Sequence, residues 1–107
     1  MATEIIHNED ASRYEIHVDG HLAGYVLYRT RPDALALVHT TVLPEFEGRG
    51  LGSTLARGVL DTIRAHKGLI VPLCPFIAAF IKRHPDYTDL IVPRYHEEQA
   101  ASAGDGA

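Results

Sequence analysis

Hydrophobic and polar residues alternate along the first third of the chain, which is typical of half-buried strands. Ile5-Ile6 begins a short strand, and Asn8-Glu9-Asp10 has the composition of a turn. Tyr14, Ile16 and Val18 then alternate with polar residues, so a second strand is expected there.

A tight hairpin and a break separate the next two strands. Asp19-Gly20 predicts a type I′ turn, because both central positions of that turn need a positive φ. The return strand runs from about His21 to Tyr28, and Arg31-Pro32-Asp33 ends it. The fourth strand extends to Val42 and begins with Leu35-Ala36-Leu37-Val38. This run is apolar on both faces, which indicates a central strand.

The period of the apolar residues changes in the second half of the chain. Leu55, Val59 and Ile63 recur every four residues, which predicts an amphipathic helix from Ser53 to His66. Lys67-Gly68 is a suitable helix end.

A second strand and helix follow in the same order. Leu69-Ile70-Val71 is expected to be a buried fifth strand. Pro75 stands where a second helix would begin, a position that tolerates its missing N–H, and His84-Pro85 marks the end of that helix.

This order of elements predicts an α/β fold with a mixed sheet. Four mostly antiparallel strands are followed by a helix, a parallel strand and a second helix. We expect residues 1–95 to form one domain. The small polar segment 96–107 is expected to be a disordered tail.

Composition limits the possible classes of function. The 107 residues carry a net charge of −4, which argues against nucleic acid as a partner. No apolar run is long enough to span a bilayer, and the N-terminus lacks a secretory pattern, so a cytoplasmic protein is expected, with no membrane partner. One cysteine, Cys74, excludes an internal disulfide, and the scattered histidines suggest no metal site.

The segment Glu47–Ser53 is the most informative motif, because it places three glycines between a strand and a helix. Such a turn leaves backbone N–H groups uncovered at the positive end of the helix dipole, where phosphate oxygens bind. A P-loop would need a lysine here, and a dinucleotide loop needs a different glycine spacing and a later acidic residue. A purely structural turn remains the alternative.

The motif resembles the acetyl-coenzyme A loop of the GNAT acetyltransferase superfamily, whose pattern is Gln/Arg-x-x-Gly-x-Gly/Ala. Gly50 and Gly52 match this pattern, whereas Glu47 departs from it at the first position. The order of elements also matches, and Val71–Phe76 with His84–Tyr87 resembles the minimal single-domain subgroup. The likeness covers about residues 3 to 92.

The resemblance implies a cofactor, acetyl-CoA or coenzyme A as co-substrate, and a place for it. The fourth and fifth strands would splay apart to admit the pantetheine arm, beside Val42 and Phe76. The pyrophosphate would lie on the loop backbone, at Gly48, Arg49, Gly50, Leu51, Gly52 and Ser53. Glu47 would then point to solvent, with Arg49 offsetting its charge.

The acceptor implied by the family is a primary amine. Larger members carry helices between their first two strands, and here that interval is only the turn from Asn8 to Ser12. An open, shallow acceptor site is therefore expected, suited to a lysine on another protein or to a flexible amine. The predicted function is N-acetyl transfer from acetyl-CoA.

Two residues are candidates for catalysis, Cys74 and His39. Cys74 precedes a helix, and a thiol at a helix N-terminus favours its thiolate form, so it could act as a nucleophile or proton donor. It could equally be a small buried filler. His39 is a polar ring in an apolar strand, and it could deprotonate the amine or Cys74, or be structural.

Further candidates are weaker. The family often uses a tyrosine near Tyr87 to protonate the leaving thiolate, although an anchoring role is favoured for this residue. Lys82 and Arg83 could reach the 3′-phosphate of the cofactor.

Two other classes stay open. A non-catalytic acyl-CoA-binding module would share the loop. A thiol oxidoreductase is suggested by the strand–Cys74–Pro75–helix order, but too little sheet follows Cys74 for that fold.

Overall fold

A computed structural model describes residues 2–93, and the tail predicted for residues 96–107 lies outside them. Short 3₁₀ helices span Pro44–Phe46 and Pro85–Leu90. The strands and α-helices are β1 (Thr3–Asn8), β2 (Arg13–Val18), β3 (His21–Thr30), β4 (Leu35–Val42), α1 (Leu51–Ala65), β5 (Ile70–Pro72) and α2 (Pro75–Arg83).

The five strands form one sheet in the order β1-β2-β3-β4-β5. The first four strands pair antiparallel, and β5 pairs parallel to β4. This arrangement confirms the predicted mixed α/β fold. The hairpin between β2 and β3 is also confirmed, because Asp19 and Gly20 have φ values of 50° and 85°.

The sheet has two unlike faces. Both α-helices pack on one of them, the helix face, where Phe80 of α2 and Leu55 of α1 are completely buried. The strands contribute Tyr14, Ile16, Val18, Val26, Tyr28 and Leu37 to this main core.

The other side of β2, β3 and β4 is the open face, because strand side chains alternate between the two sides of a sheet. Its members are Arg13, Glu15, His17, Tyr25, Leu27, Arg29, His39 and Thr41. A small second cluster around Ala36, Val71 and Val92 covers this side of the β4–β5 pair.

The predicted start of the first helix was wrong by two residues. The helix begins at Leu51, not at Ser53, because Gly50 adopts a left-handed φ of 72° and Leu51 is already packed in the core with 2% exposure. Gly52 and Ser53 therefore belong to the first helical turn.

Smaller differences concern the strand ends. β1 begins at Thr3, before Ile5, and β3 continues to Thr30, beyond Tyr28. β5 is shifted by one residue, to Ile70–Pro72. Helix α1 ends as expected before Lys67-Gly68, but Lys67, with a φ of 58°, is the left-handed residue there.

Candidate functional site

The N-termini of α1 and α2 meet at the carboxyl ends of β4 and β5. β4 and β5 are parallel neighbours, so the connections that leave their carboxyl ends emerge side by side. The contact is close: a Cβ atom on Gly52 would lie 2.9 Å from Cζ of Phe76. The two predicted cofactor residues, Gly52 and Phe76, are thus neighbours, and the absence of a side chain at Gly52 makes room for the ring.

The glycine loop leaves backbone donors uncovered. Gly48 and Gly50 have φ values of 81° and 72°, and a Cβ atom on either would meet open space. No side chain caps α1, and its first turn contains no acidic residue. Among residues 2–93, no acceptor pairs with the N–H groups of Leu51, Gly52 and Ser53, since the first such bond runs from Thr54 N to Gly50 O. This geometry suits an anion.

Two charged side chains flank this loop. Glu47 is exposed, and its N–H donates to Pro44 O at 3.3 Å. The Arg49 guanidinium lies 5.5 Å from the centre of the Phe46 ring. Neither residue forms an ion pair within the described part of the chain. Arg49 is therefore a free cation beside the helix N-terminus, partly balancing Glu47.

β4 continues beyond the end of its parallel partner. The last pair of the β4–β5 ladder is Leu37↔Pro72, whereas β4 extends to Val42. Leu73 and Phe76, which flank this free edge, are exposed apolar side chains at 46% and 37%. An extended, largely apolar chain could pair with the edge and contact these two residues.

Cys74 lies just after β5, where the free edge of β4 begins. Its side chain is 2% exposed, and its N–H donates to Leu37 O at 2.8 Å. Its Sγ lies 3.2 Å from Oγ1 of Thr40, and either atom could be the donor. Sequence reasoning missed Thr40, because a threonine inside a strand carries no signal until the partner strand is known.

A β-bulge decides which β4 side chain meets Cys74. Leu27 pairs with His39 and Tyr28 with Leu37, so Val38 is an extra residue. Past the bulge the alternation is reversed, which puts Thr40 on the helix face and His39 on the open face. His39 is exposed and forms no hydrogen bond with Cys74, so its role as a general base towards an amine stays a prediction.

Tyr87 connects the second 3₁₀ helix to α1 through side-chain hydrogen bonds. Its buried hydroxyl donates to Asp61 at 2.7 Å and accepts from Arg57 at 3.3 Å. Burial, followed by the hydrogen bond to Asp61, raises the pKa of Tyr87. These contacts support the anchoring role. Lys82 and Arg83 are exposed in the last turn of α2, ~10 Å along the helix axis from Phe76, and their contact with the 3′-phosphate remains a prediction.

A polar network on the open face was not foreseen. Glu15 is 6% exposed, and its carboxylate accepts from Arg13 Nε at 2.6 Å, His17 Nε2 at 2.8 Å and Asn8 Nδ2 at 3.0 Å. The hydrogen bond from His17, ahead of those from Asn8 and Arg13, lowers the pKa of Glu15 to about 2. The sequence signal was opposite charge at alternate positions of one strand.

Two further properties concern residues 2–93 alone. They contain no group of three or more histidine, cysteine or acidic side chains arranged to hold a metal ion. No helix within this range has the length and apolar character needed to cross a bilayer.

Comparisons with known proteins agree with this architecture. A solved structure from Staphylococcus aureus, a GCN5-like candidate N-acetyltransferase studied by NMR, has the same fold with a TM-score of 0.62. It is 23% identical, and the match covers 83% of this chain and 87% of that chain. No curated protein sequence matches significantly.

The family relationship rests on the sequence itself. The family model described as GCN5-related N-acetyl-transferase matches residues 13–90. This range includes β2 to β5, the glycine loop and both helices. The chain therefore belongs to the GCN5-related N-acetyltransferase family.

Proposed function

We propose that this protein is an N-acetyltransferase that moves the acetyl group of acetyl-CoA to a primary amine, with a lysine of another protein as the favoured acceptor. The observation that carries the proposal is the uncapped first turn of α1, which follows Gly50 and leaves the N–H groups of residues 51–53 without a partner among residues 2–93. Family membership supports the same chemistry.

The cofactor would be held mainly by backbone atoms. The pyrophosphate would accept hydrogen bonds from the N–H groups of residues 51–53, helped by the dipole of α1 and the cation of Arg49. The pantetheine arm would lie along the free edge of β4 up to Val42, with Phe76 against it. Glu47, being exposed, leaves this backbone site accessible.

The acceptor would approach from the open face, where His39 lies. In the transfer, the amine nitrogen bonds to the acetyl carbonyl carbon, the carbon–sulfur bond breaks, and coenzyme A leaves as the thiolate. The amine loses a proton, which His39 would accept as general base. Cys74 lies on the other side of β4, hydrogen-bonded to Thr40 and 2% exposed, where it would shape the pocket and take no direct part in the transfer.

A matched pair of glycine variants tests the cofactor site. Gly50→Ala and Gly20→Ala both place a Cβ atom at a positive φ, with nothing within 4 Å, so both should cost about 1 kcal/mol of stability. Only Gly50→Ala should also weaken coenzyme A binding, by about tenfold, because it shifts the loop donors. Calorimetry measures the affinity.

The outcomes separate the candidate functions. Equal coenzyme A affinity in both folded variants would exclude the loop as the site, and equal binding of NAD would favour a dinucleotide instead. Binding of acetyl-CoA without acetylation of any lysine peptide would favour a non-catalytic acyl-CoA-binding module.

A further inference from the structure

Arg13 is an arginine fixed in place with part of its hydrogen-bonding capacity unused. Its Nε donates to Glu15 at 2.6 Å, and its guanidinium lies 4.5 Å from the centre of the Tyr25 ring. Within residues 2–93, neither terminal nitrogen of Arg13 has an acceptor. The side chain is 26% exposed, so these nitrogens can be reached from solvent.

The Glu15 carboxylate holds the Arg13 side chain in place. A carboxylate that is nearly buried needs partners, because its desolvation is costly. Glu15 has three partners, Asn8, Arg13 and His17. The hydrogen bonds to the last two hold their side chains on either side of the carboxylate. An arginine immobilised this way loses little conformational entropy when it binds a carboxylate with its two remaining nitrogens.

Arg13 shares a row of the sheet with His39. Arg13 pairs with Leu27, and Leu27 pairs with His39, so the three residues lie side by side on neighbouring strands of the open face. Two strand spacings separate the Cα atoms of Arg13 and His39, a distance of ~10 Å. Leu27, half-buried, forms an apolar floor between them.

We propose that Arg13 is an acceptor-binding residue that recognises a carboxylate close to the lysine being acetylated. The inference rests on the function proposed above and adds the class of acceptor, a protein lysine with an acidic residue nearby. In an extended peptide, side chains two residues apart lie on the same side, ~7 Å from one another. Side-chain reach bridges the remainder, so one carboxylate can meet Arg13 while the lysine meets His39.

Peptide binding measures this preference without depending on catalysis. Two hexapeptides with blocked termini serve as probes. Each contains one lysine. The position two residues before the lysine is aspartate in one peptide and asparagine in the other, and the remaining positions are glycine. In an NMR titration of the full chain, the aspartate peptide should bind three- to tenfold more tightly than the asparagine peptide, as expected for a charged hydrogen bond on a half-exposed surface. The amide shifts should be concentrated at Tyr25, Leu27 and His39.

Two arginine variants identify the residue responsible. Arg13→Gln should abolish the preference for aspartate, whereas Arg29→Gln should preserve it. Arg29 is exposed on the same face, but no described residue forms an ion pair with it. If Arg13→Gln fails to fold because Glu15 loses a partner, Arg13→Lys keeps the charge near Glu15 but cannot donate to two carboxylates in the same way, and it should also lose the preference.

Each outcome decides a separate question. Equal binding of both peptides to the wild-type chain, or an aspartate preference that survives in Arg13→Gln, overturns the inference. An equal loss in Arg29→Gln also overturns it, since general electrostatics would then suffice. A preference that depends on Arg13, without acetylation of the bound lysine, supports recognition at Arg13 and contradicts the proposed transferase function alone.

Discussion

The two faces of the sheet present different kinds of groups to a ligand. On the helix face, strand side chains such as Ile16 and Val26 are fully buried against α1, and the groups left for a ligand are backbone N–H donors at the helix end. On the open face, the available groups are side chains, and a buried carboxylate, Glu15, holds them in place.

This difference separates binding groups that the fold supplies through its backbone from those that depend on individual side chains. Backbone donors exist wherever a strand, a glycine turn and a helix occur in this order, so cofactor binding should tolerate an unusual residue such as Glu47. Side chains on the open face lie outside the main core, so most of them can vary at a smaller cost in stability than the core residues. Acceptor preference should therefore depend on individual residues, with Arg13 foremost.

The largest expected effect is a loss of unfolding free energy, which should differ between the two faces. Ile16→Ala empties a site with 0% exposure on the helix face and should cost about 3 kcal/mol of unfolding free energy. Leu27→Ala, on the half-buried open face, should cost about 1 kcal/mol. Urea denaturation measures both values. Equal losses would mean that the open face is covered as tightly as the core.

A smaller effect concerns the carboxylate that organises the open face. The folded-state pKa of Glu15 is about 2, lowered from 4.5, so its ionised form stabilises the fold above pH 4.5 and this contribution disappears as the pH falls towards 2. Allowing for solvent around its partners, we expect a contribution of about 2 kcal/mol.

Glu15→Gln is the control for that pH dependence. The difference in unfolding free energy between the wild type and this variant should be largest near neutral pH and should shrink as the pH approaches 2. Thermal or urea unfolding across this range provides the measurement. A difference that does not change with pH would show that the charge of Glu15 plays no part in holding Arg13 and His17.

The sequence predicted the helix face better than the open face. Alternation at Tyr14, Ile16 and Val18 was sufficient for the buried side, because burial is what makes the pattern regular. The same alternation only marks Glu15 as polar, so its burial at 6% exposure could not be foreseen. That burial depends on the side chains of Arg13 and His17, which contact the Glu15 carboxylate only in the folded chain.

The bulge at Val38 is the other feature that the sequence concealed. One extra residue reverses which side of β4 each later side chain occupies, and no composition signal marks it. A regular strand would have turned His39 towards Cys74. The structure instead pairs Thr40 with Cys74 and leaves His39 on the open face, so the two catalytic candidates are divided between the faces.

This division makes the smallest and most discriminating prediction. With His39 away from Cys74 and the thiol 2% exposed, we expect direct attack of the amine on acetyl-CoA, without an acetyl-Cys74 intermediate. Thr40→Val replaces only the hydroxyl beside Sγ with a methyl group, so it should change stability by less than about 1 kcal/mol. Like Cys74→Ala, it should keep turnover within about threefold of the wild type, a change below 1 kcal/mol in the barrier. Intact-mass measurement after mixing with acetyl-CoA alone should then find no adduct. An acetyl group on Cys74 that an amine removes at the rate of turnover would contradict direct attack and make the helix face, like the open face, a site of side-chain chemistry.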